Sequence, residues 1–304
     1  VATATSLPEL FTGVGSVLVV DVPDLAVSTL LGSCVINLGL LVVLDILSGR
    51  RSYFDGVNPS YIVESAFMLV LTVIVALGLF FADEFARFPW VWPGSLLVPG
   101  VYLAAVHLTL REGRYPPYVQ DLAEHTAEDR PSRRAPSGAT AAGVRVPLTL
   151  KQAIVGYAVS AAFVIAASLW LPGVSEQIAD RSGIGTTVVG TVLLALVTSL
   201  PEIVTTVTAF RIGAADMAFS NVAGSNLFNI LILAVDDMLY VRGPITSHVS
   251  PVNLATAIIL AGMTGVVIAA LAVRRQRKVL GLSWASLVLV ACVALNVVVV
   301  ALAR

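Results

Sequence analysis

Two identical pentapeptides carry most of the chemistry available to this chain. One is Thr198-Ser199-Leu200-Pro201-Glu202, inside an apolar run from about Ile184 to Phe210. The other is Thr5-Ser6-Leu7-Pro8-Glu9, near the amino end. A proline inside a spanning helix frees a backbone carbonyl and breaks the helix. A glutamate near the midplane costs roughly 2.5–3.5 kcal/mol or more unless it has a partner. Broken spanning helices persist only where the freed backbone is buried or lines a cavity. Two such costly features, duplicated, point to one purpose, which is holding a cation. Two carboxylates brought together repel, so one takes a proton or both bind a positive ion.

Further oxygens recur at helical spacing. Ser33 and Asn37 are four apart, as are Ser225 and Asn229, so each pair shares a helix face. Thr5 and Glu9, and Thr198 and Glu202, have the same spacing. Pro8 and Pro201 leave carbonyls as further donors. An all-oxygen set with two negative charges suits Ca²⁺, which takes about 6–8 oxygen ligands, and it would also serve Na⁺. A softer metal would want His or Cys, and only Cys34 is close to either motif.

The elements that position these groups follow from composition. The 304 residues are 57% hydrophobic and 12% charged, with a mean hydropathy of +0.91. That is an all-α, polytopic transmembrane helical bundle. Nine apolar segments are expected, at about 1–20, 23–47, 60–82, 93–110, 148–171, 184–210, 214–238, 250–273 and 282–303, most of them near the ~20 residues a bilayer requires. Glu9 and Glu202 are then the only acids deep in the membrane. Cys34 and Cys292 read as packing residues, not a disulfide framework. No P-loop, HExxH, GxGxxG or zinc cluster is present, so neither an ATP-driven pump nor a metalloenzyme is indicated. His107, His125 and His248 fall at segment ends or in loops, which leaves an intramembrane protease without a base.

Arginine and lysine crowd into alternate connections. Arg50 and Arg51, seven basic residues from Arg111 to Lys151, then Arg211, then Arg274 to Lys278 all fall on one side if every segment spans. By the positive-inside rule that side is the cytoplasm, and nothing in the sequence suggests an organelle membrane. Trp90, Trp92, Trp170 and Trp284 lie near segment ends, as in an interfacial belt, although each would serve equally in a core. Residues 111–147 carry Pro116, Pro117, Pro131, Pro136 and Pro147 with mixed charge, and read as a flexible cytoplasmic linker. The expected organisation is a first half at 1–110, the linker at 111–147 and a second half at 148–304.

The halves are repeats. Asp216, Asn221, Gly224, Ser225, Asn226 and Asn229 align with Asp24, Thr29, Gly32, Ser33, Cys34 and Asn37. The helix-joining loop of the first repeat (Asp21, Asp24) is acidic and external, whereas that of the second (Arg211) is basic and internal. The repeats therefore enter the membrane from opposite sides, an arrangement of secondary transporters. Asp24 and Asp216 are expected to cap helix starts and are not assigned as ligands.

These residues resemble the alpha-repeats of the cation/calcium antiporter superfamily, most closely its prokaryotic sodium/calcium exchangers. The TSLPE motifs and the Gly224-Ser225-Asn226…Asn229 element carry the resemblance, which covers nearly the whole chain. It implies a ten-helix fold, of which the first helix is missing here, with four cation sites at its centre. It implies a metal-binding set of Thr5, Glu9, Ser33, Asn37, Thr198, Glu202, Ser225 and Asn229, joined by the backbone carbonyls of Ala2 and Ala195. It implies a non-enzymatic antiporter that exchanges Ca²⁺ for Na⁺ or H⁺, using no organic cofactor. The chain departs from the family at Asn229, where many sodium/calcium exchangers carry Asp, and at Thr29 and Cys34, where Asn is usual. Asn at both central positions looks more like calcium/proton exchangers, so the counter-ion stays open. Val1 is not a methionine and stands four residues before a motif, which reads as a fragment or a renumbered sequence; a chain complete in this form would be impaired in transport.

Overall fold

A computed structural model describes residues 2–110, 150–273, 276–279 and 281–302. The whole of the expected linker, 111–147, lies outside the described residues. The helices are α1 (Ala2–Thr5), α2 (Leu7–Leu18), α3 (Pro23–Leu47), α4 (Tyr61–Phe80), α5 (Ala82–Phe85) and α6 (Pro93–Leu110). After them come α7 (Leu150–Ser182), α8 (Thr186–Thr198), α9 (Leu200–Arg211), α10 (Ala215–Leu239), α11 (Val252–Ala272) and α12 (Trp284–Leu302). A two-residue hairpin pairs Lys278–Val279 with Leu282–Ser283. Among the described residues six helices are long and apolar enough to cross a membrane, and α8 with α9 makes a seventh span bent by 46°. The shorter apolar helices, Leu7–Leu18 and Pro93–Thr109, coincide with the first and fourth expected segments.

Both TSLPE motifs interrupt a helix. The break falls on the serine: Ser6 has φ −88° and ψ 14°, and Ser199 has φ −80° and ψ 2°. The next helix restarts with its proline in the first turn, where a missing N–H costs nothing. Helix α8 also carries a π-helical stretch at Val189–Leu194, a wide turn common at functional sites.

The long central helices α3 and α10 hold the core, where Leu25, Leu30, Leu41, Phe219, Ile230 and Leu233 are fully buried. Close approach of α3 to α8 depends on glycine. A Cβ on Gly32 would sit 2.8 Å from Thr191 Cα and 2.9 Å from Ala195 Cβ. Small residues at such crossings let backbones touch.

Aspartates lock the two ends of the bundle. At the linker end, where α6 finishes and α7 begins, Asp45 is fully buried. It accepts from Tyr53 N (2.9 Å), Ser283 N (2.8 Å) and Ser286 Oγ (2.6 Å), and pairs with Lys278 Nζ at 3.2 Å. At the far end Asp237 takes the matching place and accepts from Trp92 N (2.9 Å) and Ile245 N (2.6 Å). Asp24 accepts from Ser250 N (2.8 Å), Asn253 Nδ2 (2.9 Å), Thr186 Oγ1 (3.0 Å) and Thr187 Oγ1 (2.7 Å). Asp216 accepts from Asn58 N at 2.9 Å. The expected capping role of Asp24 and Asp216 is thereby corrected. They open their own helices, but the donors named here come from the opposite repeat, because the inverted packing brings those loops over the helix starts.

Asp45, Asp236 and Asp237 are fully buried too, and Glu64 is 7% exposed, but each stands in the first or last turn of its helix. Helix α10, Ala215–Leu239, matches the expected segment 214–238 to within one residue at each end. Trp92 is buried against Gly78 and Gly94, so it belongs to the core; Trp90 and Trp170 are exposed. Cys34 and Cys292 are free thiols.

The Asp45 cluster gives a stability prediction. Asp45→Ala strands a buried ammonium and three donors, so it should cost about 3–5 kcal/mol. Thermal melting of the purified protein in detergent should show a large drop. Asp45→Ala combined with Lys278→Met should recover part of that loss.

Candidate functional site

The two motif breaks meet between α3 and α10. Glu9 is 1% exposed and Glu202 fully buried, and the two carboxylates lie close enough to interact electrostatically. The serine of each motif donates to the glutamate of the other repeat: Ser6 Oγ to Glu202 Oε1 at 2.9 Å, and Ser199 Oγ to Glu9 Oε1 at 3.4 Å. Each glutamate also accepts from the long helix of its own repeat, from Ser33 Oγ at 3.5 Å and from Ser225 Oγ at 3.5 Å. The exchange follows from the inverted order of the repeats.

Thr198 Oγ1 lies 3.3 Å from Ser33 Oγ and 3.3 Å from the Ala195 carbonyl. Thr5 donates to the Ala2 carbonyl at 2.9 Å and also lies against Glu202. The carbonyls of Ala2 and Ala195 also accept from Ser6 N and Ser199 N, both at 3.0 Å, so each carbonyl takes a backbone donor and a hydroxyl donor whose O–H could turn away from it. Asn37 and Asn229 are fully buried. Asn37 Nδ2 donates to Asn226 Oδ1 at 3.0 Å, which leaves its own Oδ1 without a partner. Neither amide atom of Asn229 has a hydrogen-bond partner among the described residues. The same is true of Glu9 Oε2 and Glu202 Oε2. Buried polar atoms are satisfied in the great majority of cases, so this concentration of free acceptors at one place marks it as built for a ligand.

The structure thus joins Thr5, Glu9, Ser33, Thr198, Glu202, Ser225 and the Ala2 and Ala195 carbonyls around the two acids, Ala2 and Thr5 being half-buried, and sets Asn37 and Asn229 one turn beyond Ser33 and Ser225 on the same long helices. It adds Ser6 and Ser199, whose place in the repeated motif was the available signal. It also adds Asn226, which donates to the Cys34 carbonyl at 3.2 Å while Cys34 Sγ faces the Asn226 carbonyl at 3.9 Å. This contact across the pseudo-two-fold gives Cys34 a packing role where its repeat partner is an amide. Among the described residues no group of three or more His, Cys, Asp and Glu could hold a metal, which leaves an oxygen-rich site with two acids.

The helical bundle with broken helices and an inverted repeat is that of an integral membrane transporter. Residues 1–111 and 152–304 match the family described as sodium/calcium exchanger protein, and the chain belongs to that family. It is 43% identical over 106 residues to the sodium/calcium exchanger MaX1 of Methanosarcina acetivorans, covering 33% of this chain and 29% of that protein. It is 24% identical over 229 residues to an uncharacterized membrane protein, MJ0091, of Methanocaldococcus jannaschii, covering 75% of this chain and 65% of that one. These matches span less than two thirds of either relative's length. The fold resembles solved structures of the sodium-calcium exchanger NCX_Mj, including one soaked with Na⁺ and Ca²⁺. That match has a TM-score of 0.59 at 20% identity and covers 98% of this chain and 83% of that one.

Proposed function

We propose that this chain is a secondary antiporter that exchanges Ca²⁺ for Na⁺ across a prokaryotic plasma membrane by alternating access. The observation that carries it is the pair of buried glutamates, each with one free oxygen, drawn together from oppositely inserted helices. One Ca²⁺ cancels both charges, and so do two Na⁺; either load spares the site a bare buried charge. Glu9 and Glu202 supply the charge. Thr5, Thr198, Ser33 and Ser225 supply hydroxyl oxygens, Asn37 and Asn229 amide oxygens, and Ala2 and Ala195 carbonyl oxygens. Ser6 and Ser199 hold the carboxylates in orientation. Because the repeats are inverted, a rearrangement that opens the site at one end has a mirror at the other. Each ion selects the state it binds better. The basic connections support a cytoplasmic linker end, with residues 111–147.

The test is Ca²⁺ uptake into proteoliposomes under a sodium gradient. Uptake should follow the gradient and reverse with it. A pH gradient in sodium-free buffer should drive none. Uptake driven by that pH gradient would instead make H⁺ the counter-ion at the same two glutamates, a reading favoured by the uncharged Asn37 and Asn229.

A further inference from the structure

Asp236 is an acid that the exchange site does not use. It lies on α10 toward the far end, fully buried, and neither of its carboxyl oxygens has a hydrogen-bond partner among the described residues. It packs on the backbone of α2: a Cβ added to Gly13 would fall 2.9 Å from Asp236 Cγ. Gly13 is one turn along α2 from Glu9, on the same face. The next residue in the chain shows what is unusual here. Asp237 is equally buried but receives two backbone N–H groups, from Trp92 and Ile245.

Among the described residues no ion pair reaches Asp236 either. At the far end Arg242 pairs with Asp21 at 2.6 Å, and its side chain is 65% exposed. The imidazole of His248 faces the Pro244 carbonyl and Ser247. Of the acids on helices packed against α10, α2 brings Glu9 and α3 brings Asp24, already held by four donors. Tyr61 and Glu64 of α4, Asp45 of α3, Arg211 of α9 and His107 of α6 belong to the linker-end half. Tyr102 of α6 stacks on Phe228, and Glu202 of α9 belongs to the exchange site. An ionised carboxylate with neither donor nor cation is far costlier in such a place than a neutral carboxyl.

The repeat supplies an internal control. At the linker end the place matching Asp236 is Leu44, and the place matching Gly13 is Thr206, whose hydroxyl accepts from Asn221. Whatever Asp236 does, it does at one end only.

We propose that Asp236 holds a proton while α2 lies against α10, and gives it up when that seam opens to water at the far end. The carboxyl O–H bond breaks, the proton passes to water or buffer base, and a carboxylate remains; nothing is oxidised or reduced. The new negative charge then faces the backbone of α2 one turn from Glu9. It opposes reclosure of the seam. Acid at the far end therefore favours the packed state and slows exchange from that side, whereas acid at the linker end acts only through the exchange site. The transport consequence rests on the antiporter reading above; the protonation itself does not.

The experiment compares Ca²⁺ uptake in right-side-out and inverted membrane vesicles carrying the full chain, with pH varied on one side at a time. Wild-type flux should fall with far-end acidification by up to about tenfold per pH unit, the limit for one proton. Linker-end acidification should follow a different profile. In Asp236→Asn, a neutral isostere, the two profiles should become alike. Infrared spectroscopy of the purified protein gives a second readout that needs no transport. A protonated-carboxyl band present in wild type should be missing from Asp236→Asn. Persistence of the one-sided pH dependence in that variant, or identical carboxyl bands in the two proteins, overturns the proposal. Should the variant not transport at all, the infrared comparison decides.

Discussion

Glu202→Gln should reduce Ca²⁺ uptake into proteoliposomes by at least about a hundredfold, and Glu9→Gln should do the same. Removing one charge from a buried ion pair costs about 3–5 kcal/mol, and each 1.4 kcal/mol is tenfold in affinity. Gln keeps the shape and can still accept from Ser6 or Ser199. The loss is therefore one of charge, and melting in ion-free buffer should be unaffected or improved, since a buried repulsion has been removed. Added Ca²⁺ should raise the wild-type melting temperature by preferential binding to the folded state and leave both variants unmoved. Sodium-driven uptake by Glu202→Gln at the wild-type rate would show that the ion binds elsewhere.

Gly32→Leu should abolish uptake by a different route. The side chain would enter the space now held by Thr191 and Ala195, forcing α3 and α8 apart. Overpacking of this kind costs about 1–3 kcal/mol, occasionally more. The functional cost should exceed the stability cost, because Ser33 is the next residue and its hydroxyl bridges Glu9, Thr198 and the Ala195 carbonyl. Gly39→Ala on the same helix is the control. Its Cβ would meet Val293 Cγ2 at 3.5 Å, an ordinary contact, and helix propensity favours Ala by about 1 kcal/mol. Its uptake should match wild type. Equal impairment of both variants would mean that the α3–α8 crossing has no special role.

Much of the site was legible because its residues are expensive where they stand. A proline and a glutamate in one apolar run have few explanations, and their duplication in opposite orientation narrowed those to a paired site. Ser6 and Ser199 were within the motif but not assigned, because a linear motif does not say which repeat a hydroxyl faces. Asp24 and Asp216 read locally as helix caps, because their donors at Ser250 and Asn58 are remote in sequence. Asp45, Asp236 and Asp237 stand near segment ends, as the sequence suggests, but no pattern of side chains announces the backbone donors that hold Asp45 and Asp237.

The crossed allegiance of Asp24 has a bearing on biogenesis. Its four donors lie between Thr186 and Asn253, so none has been translated when Asp24 itself leaves the ribosome. The earlier half must wait in the bilayer with that acid unanswered until the later half arrives, and its maturation is then a docking event between preformed helices, not a growth from the amino end.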